Sequence, residues 1–277
     1  MLETVVCTIS DEGTIRKNEM VEQTMMQLSS MRNSHLKVLG VHIGENPRIN
    51  AMISNFCPEI RIISLPISNL LKKLKVGMQR LFTEAKAIVK EVALREKPMS
   101  IIYMEGDKNN FVQEIQKMVY PVIEGLADVT IPERSKEGLS QFPRGQRFWE
   151  HIANKAVARI MKRDVDTSRI LRILECAQER NVLDIMYGPR AWNSKCSEYF
   201  SECPLNDFGA LTYSVVKAEL ERKRVVGIKV PGFPQEYYMS KYPQIIRMPG
   251  LHFVYRAIQN LPHLYAAQLA QKDTRKR

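Results

Sequence analysis

The chain has 277 residues, long for one simple domain and short for two, with 44% hydrophobic and 26% charged residues. That balance excludes a disordered or low-complexity chain, and no run of about 18 apolar residues marks a transmembrane helix. Lys and Arg exceed Asp and Glu by 41 to 30, a net charge of +11. Such a charge suits phosphate-rich partners, namely nucleotides, nucleic acid or an anionic membrane surface.

In chain order, Val5 to Ile9 reads as a buried strand and Arg16 to Arg32 as a helix, with Met20, Val21, Met25 and Leu28 near helical spacing. Leu36 to Ile43 is a second strand, broken by Gly44, Asn46 and Pro47, and a short helix follows through Met52 and Ile53. Ile60 to Leu65 is a third strand, and Val76 to Arg95 a long helix. Ser100 to Met104 is a fourth strand, Phe111 to Ile123 a helix, and Ala127 to Ile131 a fifth strand. Beyond this point the character changes. Arg147 to Arg163 and Ser168 to Glu179 read as helices, Tyr187 to Trp192 as a loop leading to a helix, Asp207 to Arg222 as a helix and Arg224 to Val230 as a strand. Gln244 to Gln271 is an amphipathic helical tail interrupted by Pro249 and Pro262.

This order predicts an α/β fold: a mostly parallel central sheet flanked by helices, with a C-terminal helical extension. Residues 1–125 and 126–243 form two halves of one domain, and 244–277 the extension. Ligands of such sheets bind beyond the carboxyl ends of the strands. Chemistry is therefore expected at Ser10 to Gly13, Gly44 to Asn46, Glu105 to Lys108, and Glu133 to Arg134.

The sharpest local feature is Tyr103-Met104-Glu105-Gly106-Asp107. Two carboxylates flank a glycine at a strand end, and alternate residues of an extended chain point the same way. Such a pair suits Mg²⁺ or Mn²⁺, and it is also a common acidic turn. Lys72 to Gly77 opens the long helix as either a phosphate seat or a solvated helix entry. Ser135 to Gly145 is a loop that serves as a lid or as a plain connection. Arg190 and Trp192, in the segment after Asp184, offer a cation and a flat sugar-facing ring, or a buried core Trp. Asp207 is either a helix N-cap or a base toward an acceptor hydroxyl. Five cysteines without a CxxC spacing argue for reduced thiols in a cytoplasmic setting. No HExxH, GxSxG, Walker or GxGxxG pattern is present.

Taken in order over residues 3 to 240, these segments resemble A-type nucleotide-sugar glycosyltransferases, in particular the dolichol-phosphate-mannose-synthase-like and mannosylglycerate-synthase-like enzymes. VVCTISDEGT is similar to the start of the nucleotide pocket, KVGMQRLFTEA to the Lys-Gly-x-Gly helix start, and IIYMEGDKNNF to the strand with its DxD motif. ADVTIPERS, NVLDIMYGPRAW and NDFGALTYSVV resemble the later segments. The first acid of the DxD-like motif is Glu105, and the acidic turn after the second strand is Ile43-Gly44-Glu45-Asn46.

The resemblance implies transfer of a sugar from a nucleoside diphosphate sugar to a hydroxyl or phosphate acceptor, with Mg²⁺ or Mn²⁺ as cofactor. It implies that Thr8, Ser10, Glu12, Glu45, Lys75, Gly77, Glu105, Gly106, Arg134, Gly188 and Trp192 bind the donor. It assigns the metal to Asp107, Glu105 and Glu236, and catalysis to Asp207 and Arg190. The partners implied are a nucleotide-sugar donor and an unidentified acceptor. An anionic membrane surface and a second copy through the C-terminal helix are further partners for a cytoplasmic, surface-associated protein. The rival readings are a basic nucleic-acid- or membrane-binding protein, a nucleotidyltransferase on a similar fold, and a non-catalytic nucleotide-sugar-binding relative.

Overall fold

A computed structural model describes residues 3–11, 15–33, 35–64, 70–140, 142–162, 183–231 and 249–275. Seven strands form one sheet: β1 (Thr4–Asp11), β2 (Leu36–Ile43), β3 (Ile60–Ile63), β4 (Ser100–Glu105), β5 (Val129–Arg134), β6 (Arg190–Trp192) and β7 (Val225–Val230). The spatial order is β3-β2-β1-β4-β6-β5-β7. All pairings are parallel except the two made by β6, which runs antiparallel between β4 and β5.

The expected α/β fold class is therefore present. Helices cover both faces, because each strand alternates its apolar side chains between two cores. Val6, Val38, Ile102 and Met104 face one core. There they meet α1 (Ile15–Met31) through Val21, Met25 and Leu28, α2 (Pro47–Phe56) through Ile49 and Ile53, and α4 (Ile115–Ile123) through Met118 and Val122. Val5, Cys7, Ile9 and Tyr103 face the other. That side carries α3 (Leu70–Arg95), α6 (Arg144–Ile160), α7 (Ser194–Ser201), α8 (Gly209–Leu220) and α9 (Pro249–Arg275). A short α5 (Lys136–Ser140) follows β5.

Several boundaries differ from the sequence reading. The segment Tyr187 to Trp192 is not all loop: its last three residues are β6, too short to show a period of two. The Ser135-to-Gly145 stretch is largely helical, as α5 and the start of α6. Residues 244–248 lie outside the described residues, and from Pro249 to Arg275 the tail is one helix. Pro249 stands at its first position, where a missing N–H costs nothing, and Pro262 is carried inside it. The helix expected over Ser168 to Glu179 lies outside the described residues.

Strand order positions the site. From β1 the chain moves outward to β2 and β3, then returns to lay β4 on the opposite side of β1. The strand order thus reverses between β1 and β4, the place where open α/β sheets bind ligands beyond the carboxyl ends of their strands. β1 ends at Ser10 and Asp11; β4 ends at Glu105.

Candidate active site

At this reversal the turn after β4 folds against the end of β1. The Gly106 N–H donates to the Ile9 carbonyl at 2.7 Å. A Cβ on Gly106 would lie 2.7 Å from the Ser10 Cβ, so the acidic turn reaches β1 only because residue 106 has no side chain. Ser10 is buried, and its Oγ is hydrogen-bonded to His42 Nδ1 on β2 at 2.9 Å. Asp11, next along, pairs with Lys17 of α1.

Glu105 and Asp107 flank this contact. Asp107 is buried, and the Glu105 Oε2 is buried with no hydrogen-bond partner among the described residues. Lys108 Nζ approaches Glu105 Oε1 at 3.7 Å and lies 5.2 Å from the centroid of the Tyr187 ring. Gly188 passes so close that a Cβ there would stand 2.1 Å from Glu105 Oε1. The loop before β6 is thereby pressed against the carboxylate, which explains a glycine at 188.

No group of three or more His, Cys, Asp or Glu side chains among the described residues is arranged to hold a metal ion alone. Mg²⁺ needs only one or two carboxylates when phosphate oxygens and water complete its shell. Glu105 offers such a ligand, since among the described residues its buried Oε2 has no donor, and the buried carboxylate of Asp107 follows two positions on.

A second cluster surrounds Arg134 at the end of β5. Arg134 is 1% exposed. Its Nε donates to Asp184 Oδ2 at 2.5 Å, and its Nη2 donates to Asp184 Oδ1 at 2.6 Å and to Glu150 Oε2 at 2.7 Å. Asn154 and Gln146 add further bonds to the two acids, and the guanidinium lies over the rings of Phe142 and Tyr187. Arg190 is also fully buried and donates to the carbonyls of Ile185, Tyr187 and Pro189. Burial draws its pKa down to about 10, with nearby Asp184 and Glu105 opposing the shift, so it stays cationic at neutral pH.

Asp207 lies just before α8. Its Oδ1 accepts from the Gly209 N–H at 2.7 Å at the start of α8. Lys86 of α3 holds the preceding loop, donating to the Cys203 and Leu205 carbonyls, and burial lowers its pKa while Cys203 and Asp207 oppose the shift. Helix α9 closes this corner: Thr212 Oγ1 is hydrogen-bonded to His263 Nδ1 at 2.7 Å, and burial with nearby Arg190 pushes the His263 pKa down to about 4.

The sequence-derived residues are thus distributed unevenly. Ser10, Glu105, Gly106, Asp107 and Gly188 converge. Thr8 is fully buried within β1, and Glu45 is exposed beyond β2. Lys75 and Gly77 lie in the second turn of α3 rather than at its start, where backbone N–H groups already donate to carbonyls four residues back. Trp192 is fully buried, paired with Ile101 in register and stacked on Phe200 at 5.3 Å. It belongs to the core, at the end of β4 remote from Glu105. Glu12 and Glu236 lie outside the described residues. His42, Lys86, Glu150 and His263 were not singled out for the site from sequence, because each acts through a partner at least 32 positions away or through a cluster made by the fold, except for the Glu150–Gln146 pair.

No protein-family model matches this chain, and no curated protein matches it in sequence. Similarity is found among solved structures. One is glucosyl-3-phosphoglycerate synthase from Mycobacterium tuberculosis in complex with Mn²⁺, UDP and glucosyl-3-phosphoglycerate, 11% identical over 93% of this chain and 80% of that one, with a TM-score of 0.47. Another is CMP:2-keto-3-deoxy-manno-octonic acid synthetase complexed with CTP, 12% identical over 88% and 98%, with a TM-score of 0.42. A third is a mycobacterial protein, 11% identical with a TM-score of 0.47; 83% of this chain matches it and spans 66% of its length.

Proposed function

We propose that this protein is a metal-dependent glycosyltransferase that moves a sugar from a nucleoside diphosphate sugar to a hydroxyl or phosphate acceptor. One observation carries the reading: the Glu105-Gly106-Asp107 turn is docked on Ser10 where the strand order reverses. Two carboxylates at that reversal suit a divalent cation shared with a diphosphate. The cation would neutralise charge developing on the leaving nucleoside diphosphate.

The chain's own residues do the rest. Ser10, oriented by His42, and Glu45 border the nucleoside end. Gly188 keeps the loop before β6 against Glu105, so the carboxylate is held before the donor arrives. Arg134, Asp184 and Glu150 hold that loop from behind. In an inverting reaction Asp207 takes the proton of the acceptor hydroxyl.

The test is a thermal-shift panel of UDP, GDP and CDP and their sugars, with and without Mn²⁺. A ligand that binds only the folded state raises the melting temperature by mass action. A metal-dependent rise with one nucleotide, absent in Asp107→Asn, is the expected result. No rise with any nucleotide sinks the donor site. A rise without sugar transfer to any acceptor in a product assay removes the transferase activity and leaves nucleotide-sugar binding.

A further inference from the structure

Large apolar side chains are exposed at scattered points on most of the described surface, but on α9 they line up. Ile258, Leu261 and Tyr265 are 59%, 59% and 58% exposed, at positions i, i+3 and i+7 of one helix. The same stripe continues through the exposed Gln268, Lys272 and Arg275. The opposite face of α9, with Ala266, Ala267 and Ala270, is fully buried against the core. Packing therefore explains the small residues on one side and leaves the large apolar residues on the other unexplained.

The charge along this stripe has one sign. In the sequence from 258 onward the only acid is Asp273, which accepts from the Tyr213 hydroxyl at 3.1 Å and so turns toward α8. Lys272 and Arg275 end the described stripe, Lys276 and Arg277 follow in the sequence, and the whole chain carries +11.

We propose that the outward face of α9 docks on an anionic phospholipid membrane surface. Ile258 and Leu261 enter the boundary between headgroups and acyl chains, and the Tyr265 ring lies at headgroup level with its hydroxyl in water. Lys272 and Arg275 meet the anionic headgroups. A second copy of the chain fits this face less well. Three apolar side chains fall short of the roughly 800 Å² that each partner of a stable dimer buries. The stripe also offers no carboxylate to pair with the cations of a facing copy. This docking is independent of the proposed transferase activity.

The experiment is co-sedimentation of the full chain with phosphatidylcholine vesicles and with mixed phosphatidylcholine–phosphatidylserine vesicles, at low and high salt. Binding to the anionic vesicles that weakens in salt is expected. It falls about thirtyfold in Lys272→Gln/Arg275→Gln, near fivefold per cation removed. It falls at least about tenfold in Leu261→Gln/Tyr265→Gln, with the melting temperature of both variants unchanged because the replaced side chains are exposed. Failure to bind anionic vesicles overturns the proposal, as does binding that neither double variant weakens. Light scattering that shows a dimer split by Leu261→Gln/Tyr265→Gln overturns it in favour of a second copy. The nucleotide-dependent thermal shift, read on the same variants, separates these outcomes from failure of the donor site.

Discussion

Two polar clusters lie at the carboxyl ends of the strands, and they are built to opposite rules. Around Arg134 the charges close on themselves: one guanidinium answers Asp184 and Glu150, and Asn154 and Gln146 bond those same acids. At the β4 turn, among the described residues, Glu105 is paired with Lys108 at 3.7 Å and leaves a buried oxygen without a donor. A buried network that satisfies itself rigidifies the loop it holds. A buried acid that remains incompletely satisfied costs stability and is retained where a ligand completes it. On the proposed function the first cluster is scaffold and the second is seat, and Gly188 joins them by pressing the scaffold's loop onto Glu105.

The largest effect should come from opening the closed cluster. Arg134→Ala leaves two buried carboxylates without their cation, and denaturant titration should show a loss of about 3–5 kcal/mol. If the loss is under about 1 kcal/mol, the cluster is not the scaffold described. Next comes the junction with β1. In Gly106→Ala the new methyl meets a Ser10 Cβ anchored in a strand, and a loss of about 1–3 kcal/mol is expected from the same titration.

A pH effect follows. The native His263 pKa is pushed down to about 4 by burial and by Arg190, against an unfolded value near 6.5. Both states are neutral at that site above pH 6.5. As the pH falls from 6.5 toward 4, only the unfolded state takes the proton, so stability declines by up to about 1.4 kcal/mol per pH unit. His263→Gln should flatten that part of the stability–pH curve, and an NMR titration of His263 that centres near 6.5 would contradict it.

The smallest stability change belongs to the seat. Glu105→Gln removes a charge whose ion-pair partner among the described residues, Lys108, stands at 3.7 Å, and should shift stability by about 1 kcal/mol or less. The same variant should lose the metal-dependent nucleotide shift. Equal stability loss in Glu105→Gln and Arg134→Ala would erase the distinction between the two clusters.

How much of this was legible in the sequence varies with the range of the interaction. The first five strands and their helices were readable, because burial on two faces leaves continuous apolar runs, as in Val5 to Ile9, and helices leave a 3.6-residue period. The β4 acids were readable as a pair for the same local reason, since alternation and strand position need no distant partner. Strand β6 was not, because three residues carry no period and its pairing joins Arg190 to Tyr103 across 87 positions.

Roles fell along the same line. The residue types of Arg190 and Trp192 suggested a ligand surface, but both are fully buried, one capping carbonyls and the other stacked on Phe200. Lys75 and Gly77 have the composition of a phosphate-binding helix start, but α3 already extends from Leu70. By itself the sequence determined the α/β class, the order of the first five strands and the acids that end β4, because those depend on local periodicity and charge. Only the tertiary structure decided which charges face one another, since Arg134 with Asp184, Ser10 with His42, and Gly188 with Glu105 are meetings across the sheet that no local pattern encodes.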